Sequence, residues 1–297
     1  MTRINRAIAL LERGQPVYYT STMELTYDNG RALAGTWADY IRLDLEHGPF
    51  DVKGVREFMR GLRDASHSRD GLPGPAAIAE LPIDGTDEAT VRANSWMIKQ
   101  LLAQGVHGLI LCHAESPEAV RAFVESARYS FQSLGVGQAL GQGRRGHGGQ
   151  KFPAEIWGLS EHEYLARADA WPLNPEGELL LGIKAENQRA LARVEESVAV
   201  PGLAFAEWGS GDMCMSFGYR VKPERPYPPE LQAVMDRVWN ACRKAKVNFL
   251  CIAEENDITA LLDKGLRILR VYDPKLAEIG RAHVARATRR SPNGSQP

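Results

Sequence analysis

The sequence contains few cysteines and no surplus of either charge. Its 297 residues include only four cysteines, which are far apart in sequence and show no metal-binding spacing: Cys112, Cys214, Cys242 and Cys251. The formal net charge is −1, so the composition provides no broadly basic surface for nucleic acid or for an anionic membrane. We therefore expect buried free thiols, a reducing cytoplasmic location and no nucleic-acid partner.

Long hydrophobic runs are also missing. No apolar stretch approaches the ~20 residues that a membrane-spanning helix requires, and residues 1–6 lack the apolar core of a signal peptide. Hydrophobic residues make up 44% of the chain and charged residues 25%, which is typical of a globular protein with a buried core. The sequence therefore predicts no membrane partner, and a small molecule is the expected substrate.

What the chain does have is a regular alternation of short apolar runs with longer amphipathic stretches. Eight of the apolar runs favour β-strands: Val17–Met23, Tyr40–Glu46, Ala76–Leu81, Gly108–His113, Leu179–Glu186, Leu203–Trp208, Asn248–Ala253 and Leu266–Tyr272. Strands joined by helical crossovers run parallel, so eight such units predict an α/β fold of the (β/α)8 TIM barrel type. A doubly wound open sheet is the alternative, because the pattern does not show closure.

The spacing predicts a single barrel domain over residues 1–288 and a disordered tail at 289–297. One connection, at about 130–177, is much longer than the others and is predicted to be a functional loop, a lid or a disordered insertion. Its Gly- and Arg-rich part, 141–149, favours solvated flexibility.

Charged side chains gather where the predicted strands end. Barrel enzymes carry their catalytic groups at the carboxyl ends of the strands and in the loops that follow. Those positions hold Glu24, Asp44, Glu46, His47, Glu80, His113, Glu115, Lys184, Glu186, Glu207, Asp212, Glu254, Glu255 and Asp273. Such an acidic rim could bind a divalent cation through oxygen ligands.

Glu186 and Asp212 are the best metal-ligand candidates, because each lies at or just past the end of a neighbouring barrel strand. Two carboxylates and several waters suit Mg²⁺ or Mn²⁺ and leave positions for a chelating substrate. The alternative is that both residues are acidic loop residues, with Glu186 stabilising the amino terminus of the next helix.

His47 is the candidate general base. Arg42, Asp44 and Glu46 alternate along one face of the second strand, and His47 follows directly before a Gly-Pro break. A carboxylate such as Asp44 fixes the tautomer of a neighbouring imidazole and raises its basicity. An ordinary surface histidine is the alternative. His113 also ends a strand, but no partner lies near it in the sequence.

These residues resemble the HpcH/HpaI aldolase family, the class II pyruvate aldolases typified by 2,4-dihydroxyhept-2-ene-1,7-dioate aldolase. The segment Asp44-Leu45-Glu46-His47-Gly48-Pro49 resembles the family motif Asp-x-Glu-His-x-Pro. Ile183–Asn187 is similar to the family's metal-ligand strand, Trp208–Asp212 to the segment with the second ligand, and Ala127–Tyr129 to the start of its substrate loop. The resemblance covers residues 4 to 285.

The resemblance implies a role for each matching residue. Glu186 and Asp212 would bind a divalent metal, Mg²⁺ or Mn²⁺, with Co²⁺ as a further candidate. Glu46 would hold a metal-bound water, and His47 would be the base that Asp44 supports. The family substrate chelates the metal through keto and carboxylate oxygens, and the metal stabilises the enolate while the aldol bond breaks.

Further implications of the resemblance concern substrate contacts and assembly. Arg128, Gly209 and Ser210 would contact the substrate. The family often exchanges its C-terminal helix between subunits and forms a hexamer, a trimer of dimers, so a homo-oligomer is expected.

One position departs from the family pattern. The third strand usually ends with an Arg that binds the pyruvyl oxygen, whereas Glu80 stands at that position here. Arg42 and Lys184 lie on faces that point into the same barrel, so we hypothesise that Glu80 pairs with one of them and that these cations bind the substrate. The alternative is a buried ion pair without a chemical role.

Three functional hypotheses follow. The first is a metal-dependent carbon–carbon lyase that cleaves a hydroxylated oxo acid. The second is a divergent enzyme that uses the same metal site, with Glu80 as a catalytic group, on a non-pyruvyl and aromatic substrate, a hint taken from Tyr18, Tyr19 and Trp208. The third is a barrel that binds a small ligand without turnover, which the presence of a base argues against.

Overall fold

The computed structural model describes residues 2–290 of the chain, and their side chains up to residue 287. Most of the tail expected to be disordered, residues 291–297, lies outside the described residues. Residues 289 and 290 complete the last helix.

Nine parallel strands form one sheet, and eight of them close into a barrel. The strands are β1 Val17–Thr22, β2 Tyr40–Asp44, β3 Ala76–Asp84, β4 Gly108–Cys112, β5 Ala170–Trp171, β6 Leu179–Ala185, β7 Phe205–Trp208, β8 Asn248–Ile252 and β9 Ile268–Arg270. Pairing of β4 with β6 and of β1 with β9 closes the ring, and β5 adds only two residues beside the start of β6. The (β/α)8 barrel is therefore confirmed, and the open-sheet alternative is excluded.

Helices surround the barrel. They are α1 Arg6–Glu12, α2 Tyr27–Leu33, α3 Val52–Ala65, α4 Glu88–Ala93, α5 Ser95–Leu102, α6 Pro117–Ala127, α7 Lys151–Trp157, α8 Glu161–Arg167, α9 Gln188–Ala192, α10 Val194–Val198, α11 Ser210–Ser216, α12 Pro229–Ala245, α13 Ile258–Asp263 and α14 Pro274–Arg290. Two stretches that look like single helices in the sequence are broken, because Asn94 and Arg193 adopt non-helical backbone angles.

The strand side chains divide between two hydrophobic clusters, one inside the barrel and one between the barrel and the helices. The interior cluster includes Val17, Tyr19, Tyr40, Ile78, Ile110, Leu180, Phe205, Leu250 and Ile268. Ile8 of α1 belongs to the same cluster, so α1 closes the amino-terminal end of the barrel. Only the carboxyl end remains for a site, as the barrel rule requires. All four cysteines are buried free thiols, which confirms the expectation for Cys112 and Cys251 in their apolar strands.

The long segment after α6 is not a lid or a flexible insertion over the barrel mouth. It contains α7 and α8, and Trp157 of α7 stacks on His107, directly before β4, at 5.6 Å between ring centroids. Within the Gly- and Arg-rich part, Arg145 is buried and donates hydrogen bonds to the hydroxyls of Tyr129 (2.9 Å) and Tyr164 (2.8 Å). Arg145 thus anchors this segment near the amino-terminal end of the barrel, while most of residues 141–149 are exposed, and their flexibility stays a prediction.

The C-terminal helix α14 packs against the barrel of the same chain, and its exchange between subunits stays a prediction. Arg281 of α14 lies over the Tyr18 ring, 5.0 Å from its centroid, and donates a 2.8 Å hydrogen bond to Asp39. Asp39 lies directly before β2, is fully buried, and also binds Arg6 (2.9 Å) and Arg69 (3.5 Å). Three separate parts of the chain are thus tied together at the amino-terminal end. Within residues 2–290, no helix is both long and apolar enough to cross a bilayer.

Asp39→Asn should destabilise the fold by about 3 kcal/mol, because it leaves the buried Arg6 guanidinium without its carboxylate. Urea unfolding measures the change. Asp70→Asn is the matched control, since Asp70 approaches the same Arg6 at 3.7 Å but is 79% exposed. The control should lose less than about 1 kcal/mol. Equal losses for the two variants would contradict a structural role for the buried pair.

Candidate active site

Charged side chains replace hydrophobic ones in the last interior layer of the barrel. Parallel pairing sets Asp44 of β2 beside Glu80 of β3, and Lys184 of β6 beside Glu207 of β7. Arg42 lies two residues before Asp44, on the same interior face. The sequence therefore builds this layer by period-2 alternation at the carboxyl ends of four strands.

Glu80 lies at the centre of this layer. Its side chain is fully buried, and one carboxylate oxygen lies 3.0 Å from Arg42 Nη1 and 2.8 Å from Lys184 Nζ. Glu80 therefore pairs with both Arg42 and Lys184, whereas the hypothesis named one or the other. Arg42 also donates to Ser21 Oγ at 3.1 Å and lies 5.4 Å from the centroid of the Tyr19 ring.

Burial and charge act in opposite directions on these groups. Burial raises the pKa of Glu80 above its ordinary value, although the charges of Arg42 and Lys184 oppose that rise. Burial alone would lower the pKa of Lys184, but the surrounding acidic groups, Glu186 and Glu80 among them, outweigh it and raise the pKa. The acidic neighbours of Lys184 therefore favour its charged ammonium form.

A second group of acids lies just above this layer. Lys184 makes a short ion pair with Glu46 and lies 3.6 Å from Glu186 Oε2. When ionised, the four carboxylates of Glu46, Glu80, Glu186 and Glu207 carry four negative charges. Arg42 and Lys184, the two cations in contact with them, balance only two of those charges.

Glu186 carries an unused ligand atom. One of its oxygens accepts the His113 backbone N–H at 2.7 Å, while Oε2 is buried without a hydrogen-bond partner among the described residues. Burial raises the pKa of Glu186 to about 8. Gly209 makes room for the carboxylate, because a Cβ there would lie 2.5 Å from Oε2. A buried carboxylate oxygen that accepts no hydrogen bond suits a cation.

His47 and Asp44 form the pair expected of a base and its support. His47 Nδ1 lies 3.1 Å from each Asp44 oxygen, and the His47 backbone N–H donates to Asp44 at 3.0 Å. Burial alone would lower the pKa of His47, but the hydrogen bond and charge of Asp44, with Glu46, raise it. The imidazole is 55% exposed, so Nε2 is accessible to a substrate.

His113 is the site residue that sequence reasoning underrated. It ends β4 with a left-handed φ of 44°, which turns the chain over Glu186. Its ring nitrogens lie 3.8 Å from Glu46 Oε1 and 3.6 Å from Glu186 Oε1. The only signal in the sequence is its position at a strand end, because both partners come from distant strands.

The remaining predicted residues divide into two groups. Gly209 and Ser210 lie after β7 beside Glu186, and Asp212 follows in the first turn of α11, partly exposed. Arg128 is not at this site. It is fully buried after α6 and holds Asp169 through two hydrogen bonds, of 2.7 and 3.3 Å, near the start of β6. Within the chain Arg128 therefore forms a structural ion pair, and its expected substrate contact stays a prediction.

The aromatic residues taken as a hint of an aromatic substrate belong to the core. Tyr18 is fully buried, and Tyr19 and Trp208 are 1% and 3% exposed. None of the three offers an open ring to a ligand, so their expected role at the barrel mouth is corrected as well.

The donor atoms of the site fit a divalent metal. Among the described residues, three sets of possible ligands come within 4.8 Å of one another: Asp44 with His47 and Glu80, Glu46 with Glu80 and Cys112, and Glu46 with His113 and Glu186. Asp212 is in none of these sets. Among these sets only the last contains Glu186, whose Oε2 has no hydrogen-bond partner among the described residues. Carboxylate and imidazole donors of this kind are common metal ligands.

Known structures share this fold. An HpcH/HpaI aldolase/citrate lyase family protein from Burkholderia cenocepacia aligns with a TM-score of 0.70 and 22% identity, over 97% of this chain and all of that chain. The citrate lyase β subunit of M. tuberculosis, complexed with oxaloacetate and magnesium, aligns with a TM-score of 0.53 and 13% identity, over 91% of this chain and 97% of that chain.

Sequence comparison identifies the family. The chain is 24% identical over 269 residues to the hydroxypyruvate/pyruvate aldolase of Roseobacter denitrificans, and the match covers 84% of this chain and 90% of that protein. The family model for HpcH/HpaI aldolase/citrate lyase matches residues 30–271, which is most of the chain. The protein therefore belongs to the HpcH/HpaI aldolase/citrate lyase family.

Proposed function

We propose that the protein is a divalent-metal-dependent carbon–carbon lyase that cleaves a hydroxylated oxo acid by a retro-aldol reaction. The observation that carries the proposal is the His47–Asp44 pair at 3.1 Å beside the acidic residues Glu46 and Glu186, in a barrel of an aldolase family. A site that only bound a ligand would not need an oriented base next to a metal site.

Glu186 and Asp212 would hold the metal, with Glu46 binding a water on it. Mg²⁺ or Mn²⁺ is the proposed metal, in keeping with the magnesium of the M. tuberculosis relative, and Co²⁺ remains a candidate. The chemistry that a divalent metal supplies when bound is Lewis-acid polarisation of the substrate's keto group.

His47 would start the cleavage by taking the proton of the substrate hydroxyl through Nε2. As the carbonyl of the aldehyde fragment forms, the adjacent carbon–carbon bond breaks and its electron pair passes to the oxo-acid fragment. Asp44 keeps Nδ1 protonated and stabilises the imidazolium that results. The same proton then returns to the carbon of the oxo-acid fragment and regenerates the base.

Lys184 and Arg42 would supply the positive charge that the family places at the end of the third strand. Both contact Glu80 in the free protein, and Lys184 lies nearer the acids of the mouth. A cation already held by the protein stabilises an oxyanion without the cost of reorganising.

The second candidate function is that of an enzyme that uses the same metal site on a non-pyruvyl substrate. Glu80 replaces the family's Arg, and its buried Oε2 has no hydrogen-bond partner among the described residues. Glu80 would then act on a hydroxyl of a non-pyruvyl substrate. One observation still favours an aromatic substrate. Phe50 lies three residues after His47, and its ring packs edge-on against Trp96 at 5.7 Å between centroids; the Trp96 side chain is 47% exposed.

We infer two further properties from the family resemblance. The protein would assemble as a homo-oligomer, a trimer of dimers, and would act in the cytoplasm. Light scattering at several protein concentrations tests the assembly, and a stable monomer would contradict it.

His47→Asn should lower kcat by roughly 10²–10⁴-fold while metal binding is retained, because only the base is removed. The activity should rise with pH as His47 loses its proton, because only the neutral imidazole can act as a base. Since the pKa of His47 is raised, this rise in kcat/KM should occur at a higher pH than for an ordinary histidine. Asp44→Asn removes the carboxylate that raises the pKa, so the rise should move to lower pH. His67→Asn, an exposed histidine after α3, is the control and should change neither rate nor profile. An unchanged limb in Asp44→Asn would refute His47 as the base.

Glu186→Gln should weaken Mn²⁺ or Mg²⁺ binding by at least ~10-fold, because the variant removes the charge but keeps the volume of the side chain. Isothermal titration of chelator-treated protein measures the affinity. Glu255→Gln, an exposed acid at the same end of the barrel, is the matched control and should bind like the unaltered chain. Equal affinity in both variants would rule out a metal on Glu186.

Lys184→Met should lower kcat/KM for pyruvate release from 4-hydroxy-2-oxo acids by ~10²–10³-fold, since an oxyanion-stabilising cation is lost. Lys184→Arg keeps the charge and should retain more activity. Glu80→Arg introduced into Lys184→Met should recover part of the pyruvate release. If Lys184→Met left pyruvate release intact, or the unaltered protein bound metal without releasing pyruvate, the divergent-substrate function would be favoured.

A further inference from the structure

We infer that a cavity at the amino-terminal end of the barrel binds a small, planar and largely apolar molecule that accepts a hydrogen bond from His107. The cavity has a volume of about 280 Å³. Because α1 closes the interior of the barrel at this end, the cavity lies outside the barrel wall, between α3 and α7. It is therefore a second site, at the opposite end of the strands from the acids of the candidate active site.

An unused hydrogen-bond donor is the first observation. His107 lies directly before β4, is 7% exposed and lines the cavity. Its Nδ1 accepts the Ala77 backbone N–H at 3.1 Å, and burial lowers the pKa of the imidazole to about 4. The ring is therefore neutral and carries its one proton on Nε2. The backbone N–H and carbonyl of His107 are both paired, whereas Nε2–H has no acceptor in the described part of the chain.

The walls of the cavity are the second observation. Four apolar side chains line it: Ile4, Met59, Leu62 and Ile156. The Trp157 ring also lines it and is nearly parallel to the His107 ring, at an angle of 6°. Trp157 Nε1 already donates to the Gly105 carbonyl at 2.8 Å, so the rest of this side chain offers an apolar surface. Apolar walls beside one well-placed polar group are typical of a small-molecule pocket.

The rim of the cavity is open and polar. Arg63, His67 and Ser68 line it at the end of α3 and in the loop that follows, and all three are exposed. A ligand can therefore enter from solvent. The Arg63 guanidinium is already paired with Asp64, through hydrogen bonds of 2.8 and 2.7 Å, which makes a neutral ligand a better fit than an anion.

The cavity also gives a role to the long connection after α6, which contributes no residue to the proposed lyase site. Helix α7 of this connection supplies Ile156 and Trp157 as one wall, and α3 supplies another. The packing beneath α7 is tight, because a Cβ at Gly105 would lie 2.8 Å from the Ile156 Cβ. The connection thus builds a binding site far from the barrel mouth.

Size and hydrogen bonding together define the class of ligand. A volume of about 280 Å³ is close to the ~300 Å³ at which ligand pockets begin, so the cavity suits a single ring. The flat Trp157 ring favours a planar partner. A carbonyl oxygen would satisfy His107 Nε2–H, whereas a cation that only donates hydrogen bonds would leave it unpaired. Neutral carbonyl compounds with one aromatic ring are therefore the proposed class.

Benzamide and benzamidine are a matched pair of probes for the full chain. Both are planar and similar in size, but benzamide offers a carbonyl oxygen, whereas the amidinium of benzamidine only donates. In saturation-transfer nuclear magnetic resonance, benzamide should bind with a Kd of about 1 mM, and benzamidine at least ~5-fold more weakly. Equal affinities for the two probes, or no binding at ~10 mM benzamide, would overturn the inference.

Two variants test whether benzamide binds in this cavity. Ile4→Phe places a larger side chain in the cavity and should lower benzamide affinity by at least ~10-fold. His107→Phe keeps a ring beside Trp157 but removes the donor, and should lower the affinity by ~3–10-fold. Ile279→Phe, the same change at a 41% exposed position of α14, is the matched control and should bind like the unaltered chain. Circular dichroism checks folding, and Ile4→Phe keeps the test decisive if His107→Phe does not fold.

Binding at the barrel mouth is the competing explanation for a benzamide signal. Glu186→Gln and His47→Asn alter the candidate active site at the other end of the strands, so each should leave benzamide affinity unchanged within ~2-fold. A loss of affinity in these two variants, or an affinity that survives Ile4→Phe, would place benzamide elsewhere and overturn the inference.

Discussion

The buried negative charge of Glu80 has to be balanced inside the barrel, and its ion pairs with Arg42 and Lys184 provide that balance. A fully buried carboxylate is costly unless cations and hydrogen bonds satisfy it. Arg42 of β2 and Lys184 of β6 approach one oxygen of Glu80, at 3.0 and 2.8 Å. Lys184 also contacts Glu46 and approaches Glu186. The positions of these two acids at the barrel mouth therefore depend on the ion pairs of Glu80.

The constraint connects a departure from the family pattern with the chemistry of the site. An acid on the third strand would repel a developing oxyanion if it stood alone. Arg42 on the second strand and Lys184 on the sixth strand pair with it, so the charge of Glu80 is compensated by cations from other strands. Glu46 and Glu186 lie nearer the mouth, where a divalent cation would balance their charges when both are ionised. The layer below them pairs Arg42 and Lys184 with Glu80 and Glu207, so an acid on the third strand is accommodated by neighbouring cations.

The predictable parts of this protein are those that depend on local periodicity. Eight strand runs and the amphipathic stretches between them are visible because each buries a repeating face, and period-2 alternation places Arg42, Asp44, Lys184 and Glu186 toward the interior. Contacts between distant segments are not visible in the same way. His113 meets its acids only after the barrel closes, and Arg128 finds Asp169 from 41 positions away. The Gly-rich segment looks mobile by composition, yet one buried arginine among tyrosines anchors it.

The contact between Gly209 and Glu186 has a mechanical consequence. With hydrogen in place of a Cβ, the backbone after β7 lies directly against the carboxylate of the neighbouring strand. A larger side chain at position 209 would push the Glu186 carboxylate aside or displace the turn that carries Ser210 and Asp212. Two residues expected to act on one ion therefore depend on the absence of a side chain at a third position, which itself binds nothing.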